Sequence, residues 1–302
     1  MEPTPDGNYI LSGYHQIGTG LNGGTHLLKI DAYGDTIWTR NICDSLMGGE
    51  VDIDIAHDGG FIISSRPVLI KTDSLGNRGW EAYSYTPVAG ELTAVIALSS
   101  QDCYVAVGYG FESPAITGYD IGLVKFKNNG DTLWTRRYTT PGNYDDLAWD
   151  VIEINNPHPG YSPGYLVVGQ TNHAGCCSSK VYAIRTDTTG DTLWTREYSH
   201  PNYQASLRGY QYGNAVIWAA NEPYMTNFVI AGISHLVSDR LAGWVFMISD
   251  TLRGDIIRSK TSDTYWEQWP LNIIRCEDGG GAVCGRAKLD TTVNSHFWLL
   301  RL

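Results

Sequence analysis

Gly130-Asp-Thr-Leu-Trp-Thr-Arg136 recurs unchanged at 190–196, and a close variant, Gly-Asp-Thr-Ile-Trp-Thr-Arg, occupies 34–40. Degenerate copies follow Asp73 (Ser-Leu-Gly-Asn-Arg-Gly-Trp, ending at Trp80) and Asp250 (Thr-Leu-Arg-Gly-Asp-Ile-Ile, ending at Ile257). A fixed segment returning along a chain is the signature of a repeat architecture. Residues present in every copy build the unit, so they are weak evidence for chemistry.

Around the copy at 190–196 the chain reads as four short strands. Leu147–Ile154 is the first, Gly164–Gln170 the second, Lys180–Asp187 the third and Thr192–Tyr198 the fourth. A loop rich in Pro, Gly and Asn (155–163) separates the first two, and a tight turn, Thr188–Asp191, separates the last two. Gly, Asp and Asn turns joining β-branched and aromatic runs make an antiparallel sheet. With the strands lettered a to d, strand b recurs at Tyr9–Gly13, Phe61–Ser65, Tyr104–Gly108, Tyr165–Gly169, Phe228–Gly232 and Ala282–Gly285. Strand c recurs at His26–Asp31, Val68–Asp73, Ile121–Lys127, Val181–Asp187, Trp244–Asp250 and Phe297–Leu302. The turn glycines Gly34, Gly76, Gly130, Gly190 and Gly254 stand 42, 54, 60 and 64 residues apart, as constant strands joined by variable loops require.

Four-stranded units of this length repeated along a chain predict an all-β fold, a single β-propeller over 1–302. The expectation is six blades, near 1–43, 50–85, 91–138, 146–198, 212–261 and 267–302. The first lacks a clear strand a and the last lacks strand d. A linear stack ranks below this, because the loops and the four-strand unit match blades better than solenoid coils. Trp38, Trp80, Trp134 and Trp194 share one position in strand d and are expected to pack between adjacent blades.

The segments DGNYILSGY and HLLKIDAYGDTIWTR within Asp6–Arg40, DGGFIIS at 58–64, and GYLVVGQT with YAIRTDTTGDTLWTREY within 164–198 resemble a repeat of secreted bacterial propeller proteins. Many of those carry a C-terminal sorting domain for the type IX secretion system. The resemblance spans essentially the whole chain and implies export, with an extracellular or cell-surface location. Two departures stand out. Arg258 replaces the repeat Trp in the fifth unit, and no sorting domain follows Leu302. Met1 precedes what reads as the end of a strand, so the natural start is expected to lie upstream.

Composition bounds the partners. Thirty-four Gly, 19 Tyr and 10 Trp against 4 Met suit pleated surfaces and tight turns. The formal net charge of −11, without a basic cluster, disfavours nucleic acid. Apolar runs are too short to span a membrane. The six cysteines, Cys43, Cys103, Cys176, Cys177, Cys276 and Cys284, lack zinc-site spacing. A hairpin turn centred near Gly280 would set Cys276 and Cys284 opposite each other, so a disulfide between them is a candidate.

The Asp residues flanking the c–d turn invite a calcium reading, but their spacing does not fit a twelve-residue EF-hand loop and does fit turn chemistry. Acidic residues entering strand a are the better binding candidates. Glu50, Glu91, Asp146 and Glu267 are expected to share one face, where hard oxygen ligands would suit Ca2+. Trp266 and Trp269 head an aromatic-rich final third that would suit a sugar or peptide ligand. No His pair with metal spacing and no G-x-S-x-G elbow is present. The first expectation is therefore a non-enzymatic binding or structural module with a protein or carbohydrate partner and no cofactor. An edge-strand partner at the chain ends is also expected. The alternative is a polysaccharide hydrolase or lyase with a carboxylate site on one face.

Overall fold

In the computed structural model the chain is described except at 17–21, 48–50, 84–89, 112–117, 143, 156–161, 173–178, 203–210, 220–226, 236–240, 252, 263–266, 277–280, 289–295 and 302. The described residues contain strands and turns but no helix, so no helix is long and apolar enough to cross a membrane. Two compact units divide the chain, Met1–Tyr138 and Thr139–Leu302.

The first unit holds three four-stranded antiparallel meanders. They are β1 (Glu2–Pro3), β2 (Tyr9–Gln16), β3 (Asn22–Ile30) and β4 (Thr36–Met47); β5 (Val51–Ile55), β6 (Phe61–Ser65), β7 (Val68–Thr72) and β8 (Arg78–Tyr83); and β9 (Glu91–Ala97), β10 (Cys103–Gly110), β11 (Asp120–Lys127) and β12 (Thr132–Tyr138). The second unit opens with a fourth such meander: β13 (Asp146–Ile154), β14 (Gly164–Asn172), β15 (Ser179–Asp187) and β16 (Thr192–Tyr198). Its remaining strands are β17 (Gln211–Ala219), β18 (Asn227–His235), β19 (Leu241–Ser249), β20 (Asp255–Ser262), β21 (Glu267–Arg275), β22 (Gly281–Lys288) and β23 (His296–Arg301). The fold class is the β-propeller, as its successive four-stranded blades require.

Two details differ from the sequence expectation. Among the described residues the sheets number five, where six separate blades were expected. The last two repeats merge because one parallel rung, Leu241↔Glu267, joins β19 to β21, giving a seven-stranded sheet. The first repeat is complete: Glu2 and Pro3 pair with Ile10 and Tyr9, a strand too short to carry a readable pattern.

Within each unit the core lies between successive sheets. Strand alternation sends neighbouring residues of β6 to different layers. Phe61 and Ile63 join Ile10, Leu27 and Ile70, while Ile62 joins Leu92, Tyr104 and Phe126. In the second unit Leu166, Val181 and Trp194 pack with Phe228, Trp244 and Phe246.

The repeat can now be read physically. The turn glycines Gly34, Gly76, Gly130, Gly190 and Gly254 all have φ between 78 and 92°, a region that penalises a Cβ. The preceding Asp caps the turn: Asp31 accepts from the backbone N–H of Tyr33 and Asp35, and Asp187 from those of Thr189 and Asp191, at 2.8–2.9 Å. A second demand acts on the same glycine. A Cβ on Gly76, Gly130 or Gly254 would stand 2.9, 2.9 and 2.7 Å from the ring of Trp38, Trp80 and Trp194, the repeat Trp of the preceding blade. Trp80 Nε1 also donates to the Asn128 carbonyl at 2.8 Å and Trp194 Nε1 to Asp250 Oδ1 at 2.9 Å. The expected interblade role holds for Trp38, Trp80 and Trp194.

Opposite each Trp, strand c carries a cation: Lys29, Lys71, Lys125 and Arg185 face Trp38, Trp80, Trp134 and Trp194. In three blades it reaches the a–b turn, where Lys29 meets Asp6 at 2.6 Å, Lys71 meets Asp58 at 2.7 Å and Lys125 meets Gln101 at 2.8 Å. The fifth repeat inverts the pair, with Met247 facing Arg258.

Candidate functional site

Inner strand β5 reads Val-Asp-Ile-Asp-Ile, and the period of two puts Asp52 and Asp54 on one face. Their carboxylates accept the backbone N–H groups of Val95 at 2.9 Å and Ala97 at 2.7 Å on β9. Adjacent blades share no backbone ladder here, so the side chains supply the missing acceptors. The second unit uses the same device. Asp150 of β13 accepts from the N–H of Val216 on β17 at 2.8 Å, and Asn214 donates to the Pro270 carbonyl on β21.

Glu2 on β1 is the third carboxyl of the β5 neighbourhood. Burial, then the charge of Asp54, push its pKa up to about 7, with Asp52 adding to the rise. Burial likewise pushes Asp52 up to about 6, against the stabilising N–H groups of Val95 and Ile53. Two carboxyls on neighbouring inner strands thus exchange protons near neutrality, where ordinary carboxyls are fully ionised. Such a pair can hold one proton to donate while the other group stays charged.

The residues singled out by sequence fall differently. Glu50 and Trp266 lie outside the described residues. Glu91 begins β9, where Arg66 reaches it at 2.8 Å and the Tyr109 hydroxyl donates to it at 3.3 Å. Asp146, fully buried, accepts from the Thr140 backbone N–H at 2.6 Å and from its hydroxyl at 2.9 Å, which fixes the approach to β13. Glu267 forms an ion pair with Lys288 at 3.1 Å, without hydrogen-bond alignment. Trp269 is half-buried, with the Arg286 guanidinium 4.2 Å from its ring centroid and Lys288 Nζ at 5.5 Å. One ring face is therefore already covered. Among the described residues no cluster of three His, Cys, Asp or Glu side chains is arranged to hold a metal.

The expected cross-strand pairing of Cys276 with Cys284 is not formed. Cys284 stands opposite Asn272, and the rung Arg275↔Gly281 closes the ladder before Cys276 is reached. Both thiols are free.

A polar cleft of about 450 Å3 opens beside β15 and β16, lined by Thr139, Thr140, Pro141, Tyr182, Thr195, Arg196 and Glu197. Burial raises the Tyr182 phenol. Lys180 holds Glu197 at 2.8 Å beside this cleft.

Sequence reading passed over Glu2 because β1 has no pattern of its own. The alternation of Asp52 and Asp54 with Val51, Ile53 and Ile55 marks them as strand residues.

No family model matches the chain, and no curated protein matches it. Solved structures do. A Bacteroides caccae protein of unknown function superposes with a TM-score of 0.57 at 12% identity, over 97% of this chain and 93% of that one. The Penicillium chrysogenum α-L-arabinanase, solved with arabinobiose, superposes with a TM-score of 0.58 at 12% identity, over 99% and 91%. At these identities the likeness establishes fold.

Proposed function

We propose that this chain is a polysaccharide-directed β-propeller with hydrolytic chemistry at the inner-strand carboxyls. The observation that carries the reading is the pair Glu2 and Asp52, on neighbouring strands and titrating near neutrality. Glycoside hydrolysis needs one carboxyl to protonate the leaving oxygen and a second, ionised, to act as base or nucleophile. Glu2, with the higher pKa, takes the acid role. Asp52, the more acidic of the two, takes the carboxylate role, held by the Val95 N–H. An arabinan-acting enzyme of the same fold supports a saccharide as the substrate class.

The test is hydrolysis of a polysaccharide panel that includes arabinan. Turnover is expected to peak between about pH 6 and pH 7, falling on the acid side as Asp52 gains a proton and on the alkaline side as Glu2 loses one. Glu2→Gln is expected to lower kcat by about 100-fold or more with the fold intact. Full activity in that variant would remove the assignment.

The second reading is a non-enzymatic, extracellular or cell-surface binding module. It is favoured by the engagement of Glu91, Asp146, Asp150 and Glu267 in internal bonds. Saturable glycan or protein binding without turnover would select it.

A further inference from the structure

Two histidines that linear spacing keeps apart meet on the first sheet. In the β2–β3 ladder His15 faces Gly24 and His26 faces Gly13, so the two are diagonal neighbours on one face. Diagonal residues of an antiparallel pair lie within reach of aromatic side chains. Strand alternation sets them on the side away from Ile10 and Leu27, which belong to the apolar core. Each histidine faces a glycine, so no side chain stands directly across the ladder from either ring. A Cβ on Gly13 would meet nothing within 4 Å, which leaves room beside His26.

The ring nitrogens are prepared for a cation. His26 Nδ1 lies 2.7 Å from Asn41 Oδ1 on β4. An amide oxygen only accepts, so Nδ1 carries the proton and Nε2 keeps its lone pair. Ligating imidazoles are commonly held this way, with one ring N–H on an oxygen and the other nitrogen on the metal. His15 Nδ1 is buried and has no hydrogen-bond partner among the described residues. A buried polar atom left unpaired costs free energy, which a bound cation would recover. With metal–nitrogen bonds of about 2.0–2.1 Å, two imidazoles on one ion set their ring centroids about 5–6 Å apart. The centroids of His15 and His26 are 5.8 Å apart, with the planes inclined by 70°. Edge-to-face packing alone would explain the inclination, but not the unpartnered nitrogen of His15.

The geometry points to a divalent-cation site between the His15 and His26 rings, taking Zn2+, Ni2+ or Cu2+ through one nitrogen of each, with water completing the shell. Imidazole suits these ions, whereas Ca2+ and Mg2+ take oxygen ligands. The site is separate from the inner-strand carboxyls. Glu2 pairs with Ile10, about 17 Å along β2 from His15 at the usual strand rise.

The test uses the full chain, stripped with a chelator and titrated by calorimetry with Zn2+, Ni2+ and Cu2+ in turn. Saturable binding of each is expected, with Cu2+ the tightest. His15→Gln and His26→Gln are each expected to weaken Zn2+ binding about tenfold or more, since either leaves one ligand where two acted together. His296→Gln, at an exposed residue of β23, is expected to leave it unchanged. Substoichiometric Cu2+ is expected to broaden the ring-proton resonances of His15 and His26 before those of the other histidines. No binding at millimolar Zn2+, full Zn2+ affinity in either folded variant, or Cu2+ broadening that begins at another histidine would each overturn the proposal. Broadening in the unaltered chain decides the matter even if a variant misfolds.

Discussion

Trp194 shows how much one repeat position carries. Its ring is 9% exposed, lies over Gly254, where a Cβ would come within 2.7 Å, and donates to Asp250. Asp250 in turn receives the buried Arg185 at 3.2 Å. Trp194→Ala is expected to cost about 3–5 kcal/mol in urea unfolding, the range for emptying a large buried aromatic site. Trp194→Phe, which keeps most of the ring and loses the N–H, should cost nearer 1 kcal/mol. Equal losses would show that the hydrogen bond, not the packing, dominates. At Asp52 the expected effect depends on pH. Its folded pKa lies above the unfolded value, so its contribution is fully present below about pH 4 and is lost as pH rises toward 6. Asp52→Asn keeps an oxygen for the Val95 N–H and removes the charge. The variant should melt above the parent at pH 8, by on the order of 1–3 kcal/mol, and should lose that advantage near pH 4. Thermal melts across that range decide it, and a constant difference at all pH values would exclude the buried-charge account.

Inner and second strands are coupled by a device repeated four times. Thr93, Trp149, Asn214 and Leu271 are each bulged out of register. Beside each bulge a second-strand glycine lets an inner-strand carbonyl approach: a Cβ on Gly108, Gly169, Gly232 or Gly285 would stand 1.7, 1.9, 2.2 and 2.0 Å from the carbonyl oxygens of Glu91, Leu147, Tyr212 and Trp269. Where the second repeat has Ser65 at this position, the β5–β6 ladder runs unbroken. Gly169→Ala should therefore cost about 3 kcal/mol or more, or force the β13 bulge out. Gly13→Ala, whose Cβ would meet nothing within 4 Å, should change stability by under about 1 kcal/mol. Chemical denaturation of the two variants separates the cases, and similar losses would refute the bulge account. These elements also mark how far sequence reading reaches. The second, third and fourth strands were legible because Gly, Asp and Trp recur where a turn and an interblade contact demand them. The bulges were not, since their residues share no chemistry and only the facing glycine is constant. Glu2 was missed for a related reason. A strand of two residues leaves no local pattern.

Across the whole molecule, the spacing between repeats varies while the turn between strands c and d keeps its positive-φ glycine in five repeats. The first two strands of the fourth repeat end their ladder at the rung Ile154↔Gly164. Replacing residues 156–161 with a short turn should leave the melting temperature within a few degrees, as loop length is a weak entropic term. A loss of about 10 °C or more would assign that segment a structural part. The Met247–Arg258 inversion bears on how such a chain can diversify. Elsewhere strand c carries the cation and strand d the indole; here strand d carries the cation and strand c the apolar partner. Transplanting β20 alone into the fourth repeat would set Arg258 against buried Arg185, two like charges face to face across a ladder. Moved together, β19 and β20 bring their own complement. The smallest heritable module is thus the two-strand hairpin, and crossovers between repeats should survive when they fall in the connections before strand c or after strand d, and fail when they part the two.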